Sequence, residues 1–314
     1  MSRVIGVFSG KGGVGKTTLV ANISSALTNV FNRKIVVFDS NLHSSHLGLH
    51  FGLYDDLPVT LREVLKRKVS IIQAVYICPK TGVRIIPAPL NGDGLNLTKT
   101  QCCSLLNSVS NNYDITILDC APGLGREVLV PMQSVDEALV ITTPDIASVT
   151  DAIKTTELLK KFKKNVLGIV LNRYSHQKYE LTPEEIASTT GYKVLSSIPE
   201  DSNVPDAISK GLPVVVSHPH SKSSIGFKQL AASLINEHYR EETMLERLKN
   251  IFNFKLPAFT KREIRPASDG QITRKEISDV VELKEDLTEE VKDELKQEIM
   301  EKVRKRLKEK MHES

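Results

Sequence analysis

The chain has 314 residues, with 42 Lys and Arg against 38 Asp and Glu, a formal net charge of +4. So mild an excess gives no reason by itself to expect a nucleic-acid partner, and no apolar run approaches the ~20 residues of a membrane-spanning helix. At 40% hydrophobic residues the chain can form one large α/β domain with an appendage. Its four cysteines, Cys78, Cys102, Cys103 and Cys120, form no C-x-x-C pair, which fits free thiols in a reducing cytoplasm and no iron–sulfur ligand spacing.

The chain enters an apolar strand at 3–8 at once, so no secretory signal is expected. Next comes Gly10-Lys11-Gly12-Gly13-Val14-Gly15-Lys16-Thr17-Thr18, then Leu19, Val20, Ile23 and Leu27 at helical spacing over 16–30. A glycine-rich turn between strand and helix lets backbone N–H groups converge on a phosphate chain, and the helix N-terminus adds partial positive charge. In such a loop Lys16 reaches the β- and γ-phosphates and the Thr17 hydroxyl takes Mg²⁺. Lys11 is one lysine more than the pattern requires. It sits too early for that task, and the natural place for it is across a dimer interface.

A second strand at 34–39 ends on Asp39, and another at 115–119 ends on Asp119. Both carboxylates are thereby expected at the carboxyl edge of the sheet, beside the loop, where open α/β sheets bind ligands. Further strands are expected at 138–142, 166–171 and 193–198, and a hairpin over 74–87 that turns at Pro79-Lys80-Thr81-Gly82. Helices are expected at 60–67, 98–110, 149–162, 183–189 and 223–238, the fifth of the chain's six opened by Pro183 with Glu184 and Glu185 behind it. This alternation predicts a mostly parallel sheet with helices on both faces, the P-loop NTPase fold. His43 and His46 lack a third ligand for a metal site, and His218 and His220 read as loop residues.

Composition shifts near the end. An ATPase domain is expected over 1–240, a helical end and polar linker over 241–281, and a long charged amphipathic helix over 282–314. In that last segment acids crowd the start and bases the end, which suits the helix dipole. Its apolar residues, from Leu287 to Met311, step by four, which disfavours a long two-stranded coiled coil. Without aromatics the stripe favours a protein partner over peripheral membrane contact.

Residues 10–18, 34–50, 114–127, 138–152 and 166–173, and the chain on to about 236, resemble the deviant Walker A ATPases of the MinD/ParA class, the archaeal MinD-like ATPases in particular. The resemblance covers about three quarters of the chain. It implies ATP and Mg²⁺ as ligands, with Gly10, Lys11, Gly12, Gly13, Val14, Gly15, Lys16, Thr17 and Thr18 around the phosphates. It implies Thr17, Asp39 and Asp119 as the metal set. Asp119-Cys120-Ala121-Pro122-Gly123 resembles Walker B and switch II, with Gly123 answering to the γ-phosphate. Asp39-Ser40-Asn41-Leu42 resembles switch I, but Asn41 stands where the family usually has a second carboxylate. Asn can orient a water and cannot take its proton.

Leu171-Asn172-Arg173 resembles the family's adenine contact, and Ile198-Pro199-Glu200-Asp201 the loop on the other side of the base. The catalytic set is Lys11, Lys16, Asp39 and Asn41. The implied activity is ATP hydrolysis in a homodimer that closes across ATP and positions cellular machinery, with turnover slowed by Asn41. A non-hydrolysing nucleotide-gated scaffold and a ParA-like DNA-segregation ATPase are the alternatives. The expected location is the cytoplasm, with the inner face of the membrane as a second.

Overall fold

The computed structural model describes residues 2–42, 45–53, 57–90 and 95–241. Eight strands form one sheet: β1 (Arg3–Phe8), β2 (Ile35–Asp39), β3 (Tyr76–Ile77), β4 (Arg84–Ile86), β5 (Ile115–Asp119), β6 (Glu137–Thr142), β7 (Asn165–Tyr174) and β8 (Val194–Pro199). Their order is β3-β4-β2-β5-β1-β6-β7-β8. All neighbours run parallel except β3 against β4, the hairpin expected from the sequence. The central strands β1, β2, β5 and β6 are rich in β-branched residues and buried on both faces. Ile5 and Val7 of β1 join the apolar layer on one side, and Val4 and Phe8 the layer on the other.

The first layer packs α1 (Lys16–Asn29), α8 (Val214–Ser217) and α9 (Lys222–Leu234) around Leu19, Ile23, Leu27, Phe227 and Leu230. The second holds α2 (Leu61–Leu65), α3 (Lys99–Ser110), α4 (Arg126–Ser134), α5 (Ile146–Lys161) and α6 (Pro183–Thr190). A short α7 (Asn203–Ser209) follows β8. The Asn22 carboxamide on α1 accepts the Val215 N–H at 3.0 Å and ties the first helix to α8.

Helix starts differ in a way that matters. Capping boxes satisfy the first amides of α3 (Thr98 with Gln101) and α6 (Thr182 with Glu185), and the Asp145 carboxylate caps α5. Helix α1 starts from Gly15 in the left-handed region, with no capping side chain and no acid in its first turn. Its N-terminal donors are left for something else.

Four elements depart from the sequence expectation. Helix α4 was not expected, because Pro131 past its first turn reads as a break. The short α7 and α8, in a Pro-containing stretch, were not expected either. Helix α5 starts at Ile146 rather than 149, one residue after its Asp145 cap. Most of 241–281, all of 282–314, and His43 lie outside the described residues. No helix among the described residues is long and apolar enough to cross a membrane.

Candidate functional site

The loop from Gly10 to Gly15 joins β1 to α1 at the carboxyl edge of the sheet. Gly13 (φ +81°) and Gly15 (φ +93°) hold left-handed conformations that favour glycine. Space above Gly12 and Gly13 is open, since a Cβ there would meet no atom within 4 Å. Gly15 is closed in: a Cβ would lie 2.4 Å from the Asn172 Nδ2, which donates to the Val14 carbonyl at 2.7 Å. Gly10 presses on α5, where a Cβ would fall 2.6 Å from the Asp151 carbonyl oxygen. Thr17 and Thr18 lie half-buried in the first turn of α1. An open glycine crest, uncapped helix amides and two flanking threonines fit a phosphate chain.

Asp39 and Asp119 end neighbouring parallel strands in direct register, so the fold itself sets two carboxylates side by side. Both are buried, and Lys16 stands between them in charge: its Nζ donates to Asp119 Oδ1 at 2.6 Å. Burial works against the Lys16 ammonium, but the charge and hydrogen bond of Asp119 outweigh it and raise the pKa. Asp39 is pushed up to about 7, by desolvation first and by repulsion from Asp119 second. Partly offsetting this, Asp39 Oδ2 accepts the Ser45 hydroxyl at 2.6 Å and Oδ1 accepts the Asn41 N–H at 3.0 Å. Two buried carboxylates against one ammonium leave room for further positive charge, the donor set a hard divalent cation takes. Asn41 is half-buried in the turn that follows Asp39.

Lys11 is elsewhere. Its Nζ donates to Asp145 Oδ1 at 3.2 Å, and both side chains are exposed. Asp145 is held well below the ordinary carboxylate range. Burial opposes this, but hydrogen bonds from Ser148, Thr143 and Lys11 prevail. Gly123 (φ +88°) donates its N–H to the Ser9 carbonyl at 2.9 Å and so rests against the strand end that feeds the loop.

Beyond Gly15 and Thr18 opens a cleft of about 420 Å³, lined by Asn172, Arg173, Pro199, Glu200 and Phe227 among others. Asn172 lies inside β7 and not past its end, and the left-handed Arg173 (φ +59°) turns its exposed side chain toward Glu200, Nε to Oε2 3.9 Å. The fold thus places the predicted phosphate, carboxylate and base residues along one edge, with Lys11 on the surface beside them. Ser45, Asp145 and His50 were not singled out from the sequence. The Asp145-x-x-Ser148 spacing is a readable helix cap, whereas the reach of Ser45 to Asp39 leaves no local signal. His50 is buried in a 3₁₀ turn with no partner for Nδ1 among the described residues, and burial lowers its pKa to about 4.

The strand–loop–helix with its buried lysine and paired strand-end carboxylates defines a P-loop nucleoside triphosphatase. The chain belongs to the ParA family of P-loop NTPases, whose model, described as "NUBPL iron-transfer P-loop NTPase", matches residues 1–235. Among curated relatives, an uncharacterised ATP-binding protein of Methanocaldococcus jannaschii is 34% identical over 253 residues, 80% of this chain and 94% of that protein. Among solved structures, the cell division ATPase MinD of Pyrococcus furiosus is 33% identical, covering 75% of this chain and 99% of its own, with a TM-score of 0.71. The septum site-determining MinD of Pyrococcus horikoshii, complexed with Mg-ADP, is 32% identical over 74% of this chain and 96% of its own, with a TM-score of 0.69. ATP with Mg²⁺ is thus the ligand pair of this family, and the site's charges and open glycines fit both.

Proposed function

We propose that this protein is an ATP-driven dimerising switch of the MinD type that positions cellular machinery and hydrolyses ATP slowly. One observation carries the reading: the two loop lysines have different tasks. Lys16 is buried against Asp119 at 2.6 Å and serves the phosphates of its own chain. Lys11 is exposed and held by Asp145 at 3.2 Å, a pair that a facing molecule can replace. The names of the Pyrococcus relatives, for cell division and septum siting, support the positioning role.

The uncapped amides of the loop and α1 orient the phosphate chain. Lys16 exchanges Asp119 for the phosphates. Thr17, Asp39 and Asp119 are the groups to hold Mg²⁺, which when bound neutralises the β- and γ-oxygens. Lys11 neutralises phosphate charge on the facing protomer. Asn41 orients the attacking water but accepts no proton from it, so hydrolysis proceeds slowly and the closed state persists. Asn172, Arg173, Pro199 and Glu200 flank the base. Gly123 is the hinge through which the switch senses the γ-phosphate.

Gel filtration with ATP against ADP, beside a phosphate-release assay, tests the reading. The expected result is a dimer with ATP only, lost in Lys11→Ala while monomer ATP binding remains. A monomer under both nucleotides would sink it. In single turnover, Asn41→Asp is expected to speed hydrolysis, and an unchanged rate removes the assignment of Asn41. Asn41 also favours a second reading, a nucleotide-gated scaffold, for which turnover stays near zero while ATP still closes the dimer. The segment 282–311 is proposed to recruit a protein partner, and ATP-dependent liposome pelleting that is lost on its deletion would overturn that.

A further inference from the structure

Asp39 is held at two points. It is fully buried at the end of β2, where its Oδ1 accepts the Asn41 N–H at 3.0 Å and its Oδ2 accepts the Ser45 hydroxyl at 2.6 Å. The first donor is local, two residues along the turn. The second arrives from six residues on. The torsion that turns an aspartate carboxylate is broad and roughly two-fold, so a single donor leaves the group free to rock. Donors on opposite oxygens fix its plane and still leave a lone pair on each oxygen for a further partner.

Ser45 is carried by the core. It is itself buried, and two residues on Leu47 is fully buried. The 3₁₀ turn Gly48–Phe51 follows, and Leu47 and Phe51 join the apolar layer that holds Leu19, Val20 and Ile23 of α1. The hydroxyl is thus mounted on the same layer as the helix that follows the phosphate loop. The Asp119 carboxylate is held differently. Its Oδ1 accepts from Lys16, the group that the phosphates draw away. The donors of Asp39 come from a backbone turn and from the core, and the phosphates claim neither.

We propose that Ser45 is a positioning residue for the metal: its hydroxyl holds the Asp39 carboxylate in the orientation that receives Mg²⁺. This role rests on the metal set proposed above, Thr17, Asp39 and Asp119, and not on dimerisation. Hydrogen-bond partners of metal-binding groups set the orientation of those groups, and their loss costs about 10–100-fold in metal affinity or activity. Ser45 belongs neither to the phosphate loop nor to the lining of the base cleft. Its effect on nucleotide therefore comes through the metal.

The test is the affinity of the full chain for ADP, measured by calorimetry across a series from EDTA to saturating Mg²⁺. The series gives the affinity of the protein–ADP complex for Mg²⁺, and with ADP no dimer is expected to enter. Ser45→Ala is expected to weaken Mg²⁺ about tenfold or more and to leave ADP affinity in EDTA unchanged. Asp39→Asn is expected to weaken Mg²⁺ as well, and adding Ser45→Ala to it should change nothing further, because the hydroxyl acts through that carboxylate. ADP weakened in EDTA as much as in Mg²⁺ would make Ser45 a structural residue and overturn the proposal. Mg²⁺ affinity lowered by Asp39→Asn but untouched by Ser45→Ala would overturn it and leave the metal set standing. Mg²⁺ affinity untouched by Asp39→Asn would remove the metal set and the proposal with it. A further loss in the double variant would make Ser45 act on the metal directly, which also overturns the positioning role.

Discussion

Replacing Gly15 by Ala separates two ways in which the loop is locked. At φ +93° an alanine pays a left-handed penalty of about 1–2 kcal/mol. Its Cβ would also lie 2.4 Å from the Asn172 Nδ2, so the carboxamide must swing off the Val14 carbonyl it reaches at 2.7 Å. That lost hydrogen bond is worth about 0.5–1.5 kcal/mol. The reduced freedom of the unfolded chain returns about 0.4–1 kcal/mol. The net loss is about 2 kcal/mol, a Tm lower by roughly 4–8 °C in a domain of this size. The assay is urea unfolding without nucleotide for the wild type, Gly15→Ala, Asn172→Ala and the double variant. With Asn172 truncated, no carboxamide remains to be displaced, so Gly15→Ala should cost about 1 kcal/mol less than in the wild type. Full additivity of the two substitutions would refute the steric argument and leave only backbone strain.

Asp145→Asn keeps a helix cap for α5 and removes the negative charge that holds Lys11. The ATP-dependent dimer should tighten by at most about fivefold, since an exposed pair is worth about 0–1 kcal/mol, and sedimentation equilibrium reads it. A weaker dimer counts against Lys11 as the crossing group. His50 supplies a pH test. Its folded pKa, about 4, lies below the ordinary value of 6.5, so the unfolded chain binds the extra proton between those values and the His50 contribution to stability falls as pH drops through that window. Asp39, raised to about 7, acts in the opposite sense over much of the same range, so the His50 share, up to about 1.4 kcal/mol per pH unit, is read as the difference in urea midpoints between the wild type and His50→Asn from pH 7 to 4. Equal slopes in the two proteins would remove His50 as an acid-sensitive group.

The central strands were legible in the sequence because β1, β2 and β5 are short β-branched runs that end in turn or acidic residues. Those endings also gave away Asp39 and Asp119. Their direct register was not legible, since pairing across strands distant in sequence is decided by packing and not by local pattern. Helix α4 was hidden by Pro131, which the apolar contacts of Val128 and Met132 override. Ser45 carries no periodic or spacing signal; it is defined by what it reaches.

The ion pair between Lys16 and Asp119 has a consequence for how the site fills. Empty, it is a self-neutralised contact at 2.6 Å and not a bare cationic hole. A phosphate arriving alone must draw Lys16 away and leave Asp119 exposed to Asp39 across one strand spacing. A cation arriving alone finds Asp39 open to it but Asp119 already balanced by the ammonium, and leaves an excess of positive charge. Each visitor by itself leaves a buried charge unanswered, and both together leave none. The charges of the empty site therefore favour phosphate and divalent cation arriving together over either alone.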